Sequence, residues 1–343
     1  MSYYEGGRIL SIKDANGNDP EIYMICGNRT GGKSTFWGKF CVNKFKQGKG
    51  KFMLLYRFAY ELDDVSSKFF KDLSTLFFNG EIMTSKSKAK GIYHELYLGD
   101  ESCGYAVALN HADSIKKMGH LFTDVERMLF DEFQSETNHY CVDEIDKFKS
   151  IHTTVARGQN KQVRYVPVYM ISNCVSIINP YFTAMGISNR IRSDTKILRG
   201  DGYVVEQAYI DSASVMQKES GFNRAFGNDR YLAYSAENVY LNDNTSFIEK
   251  PTGSARYLCT IRYEGIDYAI KEYADAGYVY CDKKPDMTFP VKITVTTDDH
   301  TVNYIMLKRN DLLISNLRYY FEQGCFRFKD LQCKEAILKT LSY

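Results

Sequence analysis

Gly27-Asn28-Arg29-Thr30-Gly31-Gly32-Lys33-Ser34 fits the pattern GxxxxGK[ST] in full. Such a stretch serves phosphate binding. Glycines let the main chain wrap an anion without Cβ clashes. Consecutive N–H groups and the positive end of a following helix then hold it. Lys33 is placed to reach the β- and γ-phosphates of a nucleotide, and the Ser34 hydroxyl to bind Mg²⁺. Roughly a hundred residues later, Met128-Leu129-Phe130 ends in Asp131-Glu132. An apolar strand closing on an aspartate suits a metal carrier acting through a water, and the adjacent Glu132 suits a general base that polarises the attacking water. A third stretch, Tyr169-Met170-Ile171-Ser172-Asn173, sets a polar residue at a strand tip. Asn173 fits a γ-phosphate sensor and equally a turn or helix cap, since Ser and Asn favour both. Arg157 lies between the acidic strand and the Asn173 strand. Its type could neutralise transition-state charge across a subunit interface, although spacing alone reads it as a surface arginine. Together these residues point to ATP hydrolysis. Asn43-Lys44-Phe45-Lys46 lacks the aspartate of a guanine-specificity motif. A glutamate directly after the metal aspartate suits water activation better than transfer to a second small molecule.

Strands must end where these groups stand. Glu21–Cys26 reads as a short buried strand running into the glycine loop, and Ser34–Phe45 as the helix that follows. Lys51–Tyr56, Arg127–Phe130 and Val166–Ile171 read as further strands, and Leu62–Leu76 and Val142–Val155 as helices. Gly91–Leu98 and Cys103–Leu109 form an expected hairpin across Gly99-Asp100-Glu101. Strands alternating with helices predict an α/β fold with a mostly parallel sheet covered on both faces, over residues 1–200. Asp131 and Glu132 are expected to face the loop from the neighbouring strand tip. The segment 201–244, rich in Gly, Asp, Asn and Ser, reads as a linker region with some helix near Ser212–Glu219. Residues 245–343 show strand patterns followed by two helical stretches, Asp311–Gln323 and Asp330–Leu341. That order predicts a separate, smaller α+β domain.

At 343 residues the chain exceeds one comfortable core, which also favours two domains. Hydrophobic residues at 44% and charged residues at 25% are ordinary for a soluble protein. No run of about eighteen apolar residues argues for a membrane span. Met1–Lys13 is polar and lacks the apolar core of a signal peptide. The nine cysteines are scattered and never spaced CxxC, which argues against a disulfide framework or zinc site and for a reducing compartment. The net charge of +2 does not announce a nucleic-acid binder. Two local clusters, Lys44 to Lys51 and Lys86-Lys88-Lys90 in a Ser/Gly-flanked loop, read as solvated surface unless DNA handling is supported elsewhere.

The chain resembles the DNA-encapsidation (genome-packaging) ATPases of small tailed podoviruses, relatives of the large terminase subunits. Arg29 inside the phosphate loop and Phe130-Asp131-Glu132-Phe133 carry part of the resemblance. The most specific stretch is Ile171-Ser172-Asn173-Cys174-Val175-Ser176-Ile177-Ile178-Asn179-Pro180-Tyr181-Phe182. Weaker similarity continues through Phe247-Ile248-Glu249-Lys250, Thr296-Thr297-Asp298-Asp299 and Gly324-Cys325-Phe326-Arg327-Phe328. The resemblance implies an N-terminal P-loop ATPase domain of the ASCE type and a C-terminal RNase H-like domain without nuclease activity. It implies ATP and Mg²⁺, a homopentameric ring at the portal vertex of an empty capsid, and double-stranded DNA driven inward in the host bacterial cytoplasm. A portal (connector), and in some members a structural packaging RNA, would be partners, with no membrane involved. Arg157 becomes a trans-acting finger, Lys116-Lys117 the lysines of a lid loop, and Arg57 the substitute for a basic residue that relatives carry after the second strand. Packaging must accept any sequence, so DNA would be held through its phosphates, with Lys86, Lys88 and Lys90 as candidates. Asp267, Asp282, Asp298 and Asp299 do not reproduce the nuclease triad.

Overall fold

A computed structural model describes residues 3–63, 69, 71–137, 139–188, 190–191, 195–227, 230–237, 240, 247–307 and 311–341. The chain divides into two compact units, Met1–Asn242 and Asp243–Tyr343.

The first unit runs β1 (Ile22–Gly27), α1 (Lys33–Lys46), β2 (Lys51–Tyr56), α2 (Lys71–Phe77), β3 (Met83–Lys88), β4 (Tyr93–Leu98), β5 (Glu101–Ala108), α3 (Ala112–Lys117) and β6 (Val125–Asp131). It continues with α4 (Glu144–Val155), β7 (Val168–Asn173), α5 (Pro180–Ala184), β8 (Ile197–Gly200), β9 (Tyr203–Ala208), α6 (Asp211–Glu219), α7 (Gly221–Phe226) and α8 (Arg230–Glu237). Among the described residues one sheet takes the order β3-β4-β5-β2-β6-β7-β1-β9-β8. From β5 to β9 the pairs are parallel, and β3, β4 and β8 add antiparallel edges.

Parallel strands covered on both faces read as continuous apolar runs rather than alternating ones. β1 illustrates this: Met24 and Cys26 join the core on one face, and Tyr23 and Ile25 the core on the other. α4 and α5 cover the first face through Phe148, Ile151, Val155, Tyr181 and Phe182. α1 covers the second through Trp37, Cys41 and Val42. The Trp37 ring stacks on Tyr169 of β7, with centroids 4.4 Å apart and planes at 22°.

Three expectations are corrected. β6 is not next to β1; β7 lies between them, so the acidic strand faces the loop from one strand further away. Residues 201–244 do not begin as a linker: β9 pairs in register with β1 along its whole length. Lys86 and Lys88 stand on the edge strand β3 rather than in a loop, and Lys90 sits in the turn beyond it at φ 60°.

The second unit comprises β10 (Arg256–Tyr263), β11 (Ile266–Tyr273), β12 (Tyr278–Asp282), β13 (Lys292–Thr294), β14 (Ile305–Met306), α9 (Leu312–Glu322), β15 (Phe326–Phe328) and α10 (Leu331–Leu341). Its sheet order is β14-β13-β10-β11-β12-β15. The β10–β11 hairpin turns through Glu264 and Gly265, at φ 50° and 73°, the backbone signs of a two-residue primed turn that matches strand twist. Ile314, Leu317, Cys333, Ala336, Ile337 and Leu341 of the two helices join the sheet's core. This is a smaller α+β fold, with its strands first and most of its helix last.

Candidate active site

β1 ends at Gly27 because the next strand leaves room for nothing larger. A Cβ there would lie 2.1 Å from the Ala208 carbonyl oxygen of β9. The chain then turns through Thr30 at φ 60° and Gly32 at φ 83° before α1 starts at Lys33. Left-handed positions of this kind turn successive N–H groups into one concavity, at the positive end of α1. The loop is held from outside as well. The Asn28 side chain is fully buried; it donates to Ile210 O at 3.0 Å and accepts from Ile210 N at 3.0 Å. Arg29 N–H donates to Ser235 O, and Tyr4 N–H donates to Gly31 O. The segment read as a linker therefore straps the phosphate loop.

Lys33 is buried. Its ammonium donates to Asn28 O at 2.6 Å and reaches Asn173 Oδ1 at 3.5 Å. Burial lowers its pKa. Asp131 is half-buried at the tip of β6, and desolvation raises its pKa while the Ser34 hydroxyl, the Glu132 N–H and Lys33 oppose the rise. Glu132 follows at φ 55°, with its N–H donating to Asp131 Oδ1 at 2.9 Å. A left-handed non-glycine residue is uncommon and concentrates at functional sites. Desolvation, and then the neighbouring Asp131, raise the Glu132 pKa. Arg29, Thr30, Gly31, Gly32, Lys33, Ser34, Asp131, Glu132 and Asn173 line one cavity of about 350 Å³ together with Tyr3. A hydroxyl and a carboxylate beside a phosphate loop are hard oxygen donors of the kind that carry Mg²⁺ with phosphate and water. Ser34 and Asp131 fit that ion, and among the described residues no cluster of three or more His, Cys, Asp or Glu offers another metal site.

The distinctive stretch 171–182 builds the wall behind the carboxylates. Asn179 caps α5 by accepting from Phe182 N at 3.0 Å, and Pro180 occupies the first turn, both favoured at a helix start. The Gln134 side chain accepts from Val175 N and Ser176 N and donates to Cys26 Sγ. It thereby joins the loop beyond β6 to the tips of β7 and β1. Tyr181 packs edge-on against both Phe130 and Phe133.

Residues 3–341 match the family model described as Podovirus DNA encapsidation protein. The chain belongs to the family of podovirus DNA encapsidation proteins. DNA packaging is its function. The encapsidation protein is 24% identical to the DNA packaging protein of Bacillus phage phi29 over 345 residues, covering 99% of this chain and 96% of that one. It is also 24% identical to that of Bacillus phage B103 over 335 residues, covering 95% and 96%. Its fold is similar to a chain in a structure of the bacteriophage phi29 viral genome packaging motor assembly. The TM-score there is 0.70 at 21% identity, over 100% of this chain and 98% of that chain.

In the encapsidation protein, Arg157, Lys116, Lys117, Lys86 and Lys88 are not among the residues that line the cavity. Arg157 is exposed just past the end of α4. The adjoining Gly158 and Gln159 rest on Thr123, which precedes β6. Arg157 thus sits at the end of the sheet opposite the phosphate loop. Lys116 and Lys117 form the last turn of α3 rather than a lid loop, and Gly119 just beyond them meets Thr154 near the end of α4. Lys86 lies over the Tyr97 ring at 4.4 Å, and Lys88 pairs with Glu95 at 3.3 Å. Arg57 does not supply an exposed charge: it is buried against Glu144 at 2.9 Å. In the second unit Asp267 pairs with Arg262 and Asp282 with Lys271. Asp299 accepts from the Glu264 and Gly265 N–H groups.

Proposed function

We propose that this chain is the ATP-hydrolysing subunit of a ring motor that drives double-stranded DNA into a preformed capsid. The observation that carries the reading is the meeting of Lys33, Ser34, Asp131, Glu132 and Asn173 around one cavity, in a member of the encapsidation family. The main-chain amides from Gly27 to Ser34 hold the phosphates, and Lys33 neutralises the β- and γ-oxygens. Ser34 and Asp131 would hold Mg²⁺, which when bound offsets charge on the phosphates. Glu132 takes a proton from the attacking water, and its raised pKa suits that role. Asn173, within reach of Lys33, reports the γ-phosphate.

Arg157 cannot reach the loop of its own subunit from the opposite end of the sheet, so it serves a neighbour's site, and Lys116 and Lys117 act with it from α3, whose following Gly119 meets Thr154 of α4. A homopentamer at the portal vertex, in the host bacterial cytoplasm, accommodates this sharing, and a packaging RNA is a further partner in this reading. Lys86, Lys88 and Lys90 grip DNA phosphates. The RNase H-like second unit is non-nucleolytic, consistent with its carboxylates being engaged by Arg262, Lys271 and main-chain N–H groups. Mixing Arg157→Ala with Lys33→Ala subunits tests the shared site. Each variant alone is inactive, and mixed assemblies regain hydrolysis at interfaces that unite an intact loop with an intact arginine. Mixed assemblies without activity, their association confirmed, refute it.

A further inference from the structure

Arg57 follows β2 and points inward, between the tips of β2 and β6. Its Nε donates to both oxygens of Glu144, at 3.1 and 2.9 Å. Its Nη2 donates to Phe133 O at 2.8 Å and its Nη1 to Glu132 O at 3.3 Å. The guanidinium lies 4.9 Å from the Tyr140 ring centroid and 5.6 Å from that of Phe130. Glu144, the first residue of α4, also accepts from Cys141 N at 2.8 Å and from the Tyr181 hydroxyl at 2.7 Å. Both members are nearly fully buried, at 7% and 4% exposure.

A buried ion pair is weak evidence for stability, because desolvating two charges offsets their attraction. What sets this pair apart is what the arginine holds. Its two terminal nitrogens grip the carbonyls of Glu132 and of the residue after it, across a backbone turn with Glu132 at φ 55°. A left-handed glutamate persists only where its surroundings over-determine it. A rigid planar fork supplies two directed donors that a lysine cannot.

We infer that Arg57, anchored by Glu144, is a positioning residue: it fixes the main chain at Glu132 and so aims the carboxylate that activates water. The inference rests on the reading of Glu132 as general base. Arg57 is not among the residues lining the cavity of the phosphate loop, although it borders an adjoining one with Ser34, Asp131 and Glu132. Its loss should disturb chemistry while leaving the phosphate loop, and therefore nucleotide binding, intact.

The test uses the full chain carrying Arg57→Met together with Glu144→Gln, which removes both buried charges and leaves neither unpaired. The expected result is a folded protein with mant-ATP affinity within about threefold of native and kcat reduced about 100-fold, the scale of a misplacement near 1 Å. A kcat within about threefold of native overturns the inference, as does a parallel fall in affinity and kcat, since uniform loosening moves both. If the double variant does not fold, Arg57→Lys carries the same expectations and is judged by the same outcomes. It keeps a cation beside Glu144 but lacks the fork. Hydrolysis at the native rate in Glu132→Gln would instead refute the assignment of Glu132, so the two failures are distinguishable.

Discussion

Glu132 stands beside Asp131 in partly desolvated surroundings, and both effects favour its protonated form. The base works as a carboxylate, so protonation removes activity, and a raised pKa moves that loss upward. The acid limb of kcat/KM, which reports the free enzyme, should lie above the ordinary glutamate value near 4.3. A limb at or below that value contradicts the environment described for Glu132. Lys33 behaves in the complementary way, since burial favours its neutral form. Two polar partners, Asn28 O and Asn173 Oδ1, keep its ammonium at the loop. The residue types and spacing of this cluster were readable in the chain because the phosphate loop, the acidic strand end and the Asn173 tip each occupy a short contiguous stretch. Arg57 was not readable. Its partner Glu144 lies 87 positions away, and nothing local distinguishes a buried arginine from an exposed one.

At the scale of elements, the close approach of β1 and β9 decides whether the loop is presented. Gly27→Ala would drive a methyl group into the Ala208 carbonyl, and overpacking of this kind costs about 1–3 kcal/mol. The expected outcome is a lower thermal midpoint together with weaker nucleotide binding. A midpoint and affinity equal to native would show that β9 yields freely. The alternation of strand and helix was legible from its apolar runs, as was the β4–β5 hairpin. β9 was hidden by the polar composition around it, although one signal could have found it. Ile197-Leu198 and Tyr203-Val204-Val205 flank Asp201-Gly202, with Gly202 at φ 74°, and Asp-Gly between apolar runs is a strong hairpin signal. The order of β6 and β7 was hidden for a different reason. Spacing along the chain does not reveal which strand is inserted between two others.

At the scale of the whole molecule, packaging sets requirements that single residues do not. A grip on DNA through phosphates depends on salt and ignores sequence. Removing Lys86 and Lys88 together should reduce the slope of log affinity against log salt by about 0.9 for each phosphate no longer neutralised, equally for unrelated sequences. An unchanged slope would move the grip elsewhere. The second unit should leave DNA uncut in Mn²⁺, and cleavage abolished by Asp282→Ala would reverse that assignment. Translocation itself depends on a motor that hydrolyses ATP at the cavity beneath Gly27 to Ser34. The most direct test of that dependence is nucleotide retention measured alongside turnover in Glu132→Gln. The account predicts ATP bound with near-native affinity and hydrolysis reduced about 10²- to 10⁴-fold, the contribution of a positioned general base. Hydrolysis persisting at the native rate would contradict it.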